Sequence, residues 1–86
     1  MSGTKKNVKE IPLPFAPFGK EVVVSRLVGG EGMKRRLMDM AIYPGVAVKL
    51  LSSFGRGRVV VQVGEARFAL GRGIAYRIMV SENGNG

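Results

Sequence analysis

Residues 29–45 leave the chain few options. They read Gly29-Gly30-Glu31-Gly32-Met33-Lys34-Arg35-Arg36-Leu37-Met38-Asp39-Met40-Ala41-Ile42-Tyr43-Pro44-Gly45. The glycines end whatever precedes them and open a helix. Met33, Leu37 and Met40 then recur at i, i+4 and i+7 on one helical face, while Lys34, Arg35 and Asp39 point elsewhere and Met38 flanks the stripe. Pro44 cannot continue a helix and Gly45 releases the chain into a new direction. A short helix that is apolar on one side only must lie on an apolar surface, and the flanking stretches are built to supply one.

Residues 21–28 are rich in β-branched side chains and read as a strand, with Val22 and Val24 on one face and Val23, Ser25 and Leu27 on the other. Val46, Val48 and Leu50 alternate as a second strand against Ala47, Lys49 and Leu51. Residues 52–57 form a turn region in which Gly55 and Gly57 bracket Arg56. Taking Gly64-Glu65 as a two-residue hairpin loop, with glycine first as a type II′ turn prefers, pairs Val63 with Ala66, Val61 with Phe68 and Val59 with Leu70 on one face. The other face pairs Gln62 with Arg67 and Val60 with Ala69; a slip of one residue would spoil this separation. Residues 71–75 make a turn or single helical turn, and residues 76–80 a last strand with Ile78 and Val80 inward. Towards the N-terminus, Pro12, Pro14 and Pro17 favour an extended segment that docks Phe15 and Phe18 on the core. About five strands, one helix and tight turns imply a small, strongly bent sheet or barrel.

A chain of 86 residues buries only about 60% of the surface its unfolded form exposes, so it makes one thin core and no deep cavity. The absence of Cys and His excludes disulfides, thiolate or imidazole zinc sites and nucleophiles paired with histidine. The six carboxylates, Glu10, Glu21, Glu31, Asp39, Glu65 and Glu82, stand singly, without the spacing of a calcium loop or an acid/base pair. No catalytic, cofactor-binding or metal-ligating residue is therefore expected. The glycine loop lacks the third glycine of the dinucleotide fingerprint and reads as a tight turn, and the methionines read as core filling. Apolar stretches are broken by Asp39, Lys49 and Gln62, and no leader-like apolar run follows the N-terminal lysines, which implies a cytoplasmic protein without membrane insertion.

The net charge of +8 arises from 14 basic and six acidic residues. Lys5, Lys6 and Lys9 against Glu10 account for two of these charges, so residues 15–86 are basic by themselves. Lys34, Arg35 and Arg36 on the helix, with Arg56 and Arg58 on a nearby loop, form the candidate surface for an anionic partner. Nucleic acid is disfavoured, because stacking platforms need aromatic side chains and several of the six here are needed for the core.

In order and spacing, Gly29-Gly30-x-Gly32, Arg36-Leu37-Met38-Asp39-Met40, Pro44-Gly45, Ala69-Leu70-Gly71, Ala75, Ile78 and Val80 resemble the FeoA family, small cytoplasmic proteins that accompany the bacterial ferrous iron transporter FeoB. The resemblance covers residues 15–82, leaving residues 1–14 as a basic, disordered tail and 83–86 as a flexible end. It implies a mostly β fold, a small SH3-like barrel of about five strands with one short helix after the first strand. It also implies a non-enzymatic accessory that binds the cytoplasmic part of an FeoB-like membrane transporter and supports iron uptake. Two alternatives accompany it: a protein- or peptide-binding module such as those of iron-dependent regulators, and a small basic nucleic-acid-binding barrel. Weak homo-oligomerisation and weak metal binding stay open. Where family members usually carry Gly after the Asp-Met pair, this chain has Ala41; a positive φ there would cost about 1 kcal/mol, and a slightly different helix end is expected.

Overall fold

The computed structural model describes residues 9–54 and 57–82, Phe54 by its backbone alone. Its elements in chain order are β1 (Glu10–Pro12), a 3-10 turn (Leu13–Phe15), β2 (Glu21–Leu27), α1 (Glu31–Asp39), β3 (Ala47–Phe54), β4 (Arg58–Val63), β5 (Ala66–Gly71), the single turn α2 (Arg72–Ala75) and β6 (Ile78–Glu82). The six strands form one antiparallel sheet in the order β1-β6-β2-β3-β4-β5.

This corrects the expected SH3-like barrel of about five strands with one helix. Among the described residues the sheet has six strands and is not closed: β1 and β5 are its edges, and no ladder joins them. Strand β1 is three residues long and ends at Pro12, which has no N–H to donate. The core is covered instead by packing of short helical segments. Helix α2 packs against β4, β5 and the 3-10 turn, and that turn packs against β3 and β6. The folded unit also reaches back into the segment assigned to the tail, since Glu10, Ile11 and Pro12 pair with Ser81, Val80 and Met79, and Leu13 is fully buried.

Phe15 and Phe18 are not core residues; each keeps more than three-fifths of its surface exposed. A 3-10 turn repeats every three residues, so Leu13 and Ala16 share its inner side, joined by a 2.9 Å bond from the Ala16 N–H to the Leu13 carbonyl. Phe15 is thereby turned out and meets Tyr76 edge-on, with ring centroids 5.6 Å apart.

Strict alternation also fails in β2. Val24 pairs with Val80 and Arg26 with Met79, so Ser25 is an extra residue in the ladder, and Leu27 joins Val22 and Val24 on the buried face. A second irregularity at Leu51 in β3 falls between the Leu50 and Ser52 pairings. Both bend the sheet around a core of Leu13, Val22, Val24, Leu27, Leu37, Ile42, Val48, Leu50, Val59, Val61, Val80 and their neighbours. The β4–β5 hairpin has the register read from the sequence, from Val63 opposite Ala66 to Val59 opposite Leu70. Gly64 stands at φ +61° and Glu65 is not among the positive-φ residues, as a type II′ turn requires.

Candidate partner-binding surface

Helix α1 is held at both ends by backbone geometry. At its start, Gly30 caps the helix without a side-chain bond, and Gly29 adopts φ +141° where an added Cβ would lie 2.4 Å from the Met33 methyl carbon. Val28, just before it, donates its N–H to the Arg77 carbonyl at 2.8 Å, tying the end of β2 to the start of β6. At its end, the Ile42 N–H reaches the Leu37 carbonyl and the Ala41 N–H the Met38 carbonyl, each at 2.9 Å. This is a Schellman arrangement, and its left-handed residue is Ala41 at φ +64°. The end is not a different one: alanine occupies the glycine-type conformation. Leu37 and Ile42, the apolar pair that accompanies such an end, are both 1% exposed.

With the core side of α1 fixed by Leu37, Met33 and Met40, the charged residues can be placed around it. Consecutive helical residues turn by about 100°, so Lys34 and Arg36 lie about 200° apart and flank the helix. Arg35 projects opposite the core, with Glu31 and Asp39 four residues before and after it on the same outer strip. The basic triplet is thus diluted by two carboxylates on its own helix. Lys34 is half-buried and Arg35 and Arg36 are exposed. Exposed Met38 lies beside them, and Tyr43 is exposed just after the helix.

Arg58 begins β4 and is exposed, whereas Arg56 lies outside the described residues. Helix α2 packs against β4. Arg58 shares the outer face of the hairpin with Arg67. A row of paired residues crosses that face from Lys49 through Gln62 to Arg67. Lys49 and Arg67 were missed as candidates, although the hairpin register already placed Arg67 outward opposite Gln62. Among the described residues the ion pairs are Lys20 with Glu82 at 4.0 Å and Arg26 with Glu10 at 2.9 Å. Lys34, Arg35, Arg36, Lys49, Arg58 and Arg67 form none among the described residues.

Glu10 is the group with a perturbed titration. Its carboxyl is held below its ordinary value of 4.5, first by the Ser25 hydroxyl and next by the Arg26 guanidinium, against a small opposing effect of desolvation. Ser25 has a single proton, and its hydroxyl also lies 3.1 Å from the Met79 carbonyl, so Arg26 is the lasting partner. Among the described residues no three His, Cys, Asp or Glu side chains gather as a metal site would need. No helix of the described residues is long and apolar enough to cross a membrane.

The family model for the FeoA domain matches residues 11–82. The chain belongs to the FeoA family. A Methanocaldococcus jannaschii relative, provisionally named Fe(2+) transport protein A, is 37% identical over 71 residues, which cover 83% of this chain and 85% of that one. A crystal structure of an iron uptake regulatory protein (FeoA) superposes with a TM-score of 0.78 at 33% identity, covering 85% of this chain and 97% of the other. The zinc complex of Stenotrophomonas maltophilia FeoA gives a TM-score of 0.68 at 29% identity, with coverages of 79% and 86%. A manganese-dependent transcriptional repressor shares the fold over 44% of its own length, with a TM-score of 0.80 at 20% identity. As a FeoA-type chain the protein is a non-enzymatic accessory linked to ferrous iron uptake. Proteins of this family generally partner with FeoB transporters.

Proposed function

We propose that this FeoA protein works by docking, with no chemistry of its own, onto the cytoplasmic part of an FeoB-like ferrous iron transporter. The basic surface of Lys34, Arg35 and Arg36, with Arg56 and Arg58, meets acidic groups of that partner. The observation that carries this reading is the set of exposed or half-exposed cations on α1 and β4 that form no ion pair among the described residues, on a chain of net charge +8. Such charges raise the rate of encounter and orient it more than they hold the complex together. Because Glu31 and Asp39 offset two of the three cations of α1, the helix by itself keeps a net charge of only +1, and Arg58 and its neighbours add to the positive field.

The test is association with the transporter's soluble domain, followed at two salt concentrations. Replacing Lys34, Arg35 and Arg36 by Glu should lower the association rate by about tenfold or more and flatten its salt dependence, while Arg58→Glu adds a smaller loss. Unchanged rate and unchanged salt dependence in the triple variant would remove α1 from the interface.

A further inference from the structure

The two edges of the sheet are unequal. Strand β1 is a poor template, being three residues long and ended by Pro12. Strand β5 has six residues, an unbroken register with β4, no proline and no bulge. Val63 and Ala66 flank the two-residue loop and are the first hydrogen-bonded pair, so Ala66, Phe68 and Leu70 spend their backbone groups on β4. Arg67 and Ala69 therefore direct their N–H and C=O groups away from the sheet. Both residues are exposed, and no hydrogen bond occupies those groups among the described residues.

The side chains on either side of this edge differ in kind. The outer face carries exposed Arg67 and Arg58 and half-buried Lys49, with Val60 and Ala69 between them. Glu65 in the turn and Glu21, opposite Lys49, are the carboxylates nearby along the ladder. On the inner face Phe68 packs against the core yet is only half-buried, because no strand lies beyond it.

We propose that the open edge of β5 binds an extended acidic segment of a partner protein by strand addition. The segment alternates acidic residues, which face Arg67 and its neighbours on the outer side, with apolar residues that cover Phe68 on the inner side. Backbone hydrogen bonds to Arg67 and Ala69 hold the segment, and the alternating side chains select it. A second copy of this chain does not meet that description, since its β5 brings another Arg67 and a further net charge of +8 to the same edge. Arg58 is shared with the docking surface proposed above, whereas the β5 backbone and Arg67 are not part of that surface, so loss of binding in Arg67→Glu tests the edge separately.

The probe is an eight-residue peptide alternating Glu and Val, added to the full chain and followed by amide hydrogen exchange and by fluorescence anisotropy of labelled peptide. Exchange at the Arg67 and Ala69 amides should slow, with β1 amides unaffected. Arg67→Glu, an exposed substitution that spares the fold, should weaken binding about tenfold. Ala69→Pro, which removes an outward N–H, should abolish it; a thermal melt shows whether that variant stays folded, and Arg67→Glu remains decisive if it does not. The Lys/Val alternating peptide should not bind. No slowing at Arg67 and Ala69 at millimolar peptide overturns the proposal. So does slowing confined to α1, equal binding of the Lys/Val peptide, or slowing that rises with protein concentration in the absence of peptide, which would mean pairing between copies.

Discussion

Ala41 carries strain that the rest of the helix end imposes on it. The bonds from Ile42 to Leu37 and from Ala41 to Met38 complete the backbone pairing of α1, and they form only if the residue between Met40 and Ile42 turns left-handed. Leu37 and Ile42 are driven into the core, so the turn is set by burial and alanine bears its cost. Ala41→Gly should therefore stabilise the domain by about 1 kcal/mol. A rise in the thermal midpoint of roughly 4–8 °C is the corresponding signal. An unchanged or lowered midpoint would show that the strain is smaller than the entropy of an added glycine. Gly29 presents the opposite case, since φ +141° strains any residue with a side chain, whereas the Met33 methyl, at the end of a flexible chain, could swing aside. The sequence carried both sites differently. The glycine run announced a tight turn, and the family resemblance marked Ala41 as standing where glycine is usual; that alanine keeps the glycine-type helix end, and does not shift it, required knowing which neighbours are buried.

Among the elements, β1 and β2 show why some of the fold could not be read. The hairpin was legible to the residue because Gly64 sets the loop length and two faces of opposite character leave one register. Strand β2 was legible only as far as Val24. Its extra residue, Ser25, breaks the period of two, and the polar character of Ser25 and Arg26 looks the same with or without a bulge. Strand β1 was hidden because three residues ending in proline show no alternation to count, and its pairing with β6 lies some seventy positions away. Glu10 fastens this strand to β2 through Arg26, and the sign of its effect follows from its lowered titration. The contribution is present above the ordinary value of 4.5 and is lost as pH falls through it towards the lower folded-state value. Comparing the protein with Glu10→Gln by urea unfolding should show the parent more stable at pH 7 and a smaller gap between the two at pH 3. A gap of equal size at both pH values would mean that Glu10 acts through packing and not through charge.

For the whole molecule, the open sheet raises the question of what substitutes for a closing ladder between β1 and β5. The candidates are the apolar residues of the short segments between the edges, chief among them Leu13 at 0% exposure, with Ala16 and Ala75 at 4% and 0%. The 3-10 turn that carries Leu13 touches α2, β3 and β6, so this short segment joins elements from both halves of the sheet. In a domain of this size the total stability is a few kcal/mol, and truncating a buried leucine removes about 2–5 kcal/mol of it. If Leu13 only anchors a terminal strand, Leu13→Ala should expose β1 amides to exchange and leave α2 and β5 protected. If it seals the gap, as its full burial and the position of its turn indicate, protection should fall together in β3, α2, β5 and β6, with the urea midpoint lowered and the slope of the transition unchanged. The same measurement bears on the β5 edge. A hairpin whose protection falls with the core is a rigid platform for an added strand, whereas one that frays on its own would have to be ordered by its partner at a cost in affinity.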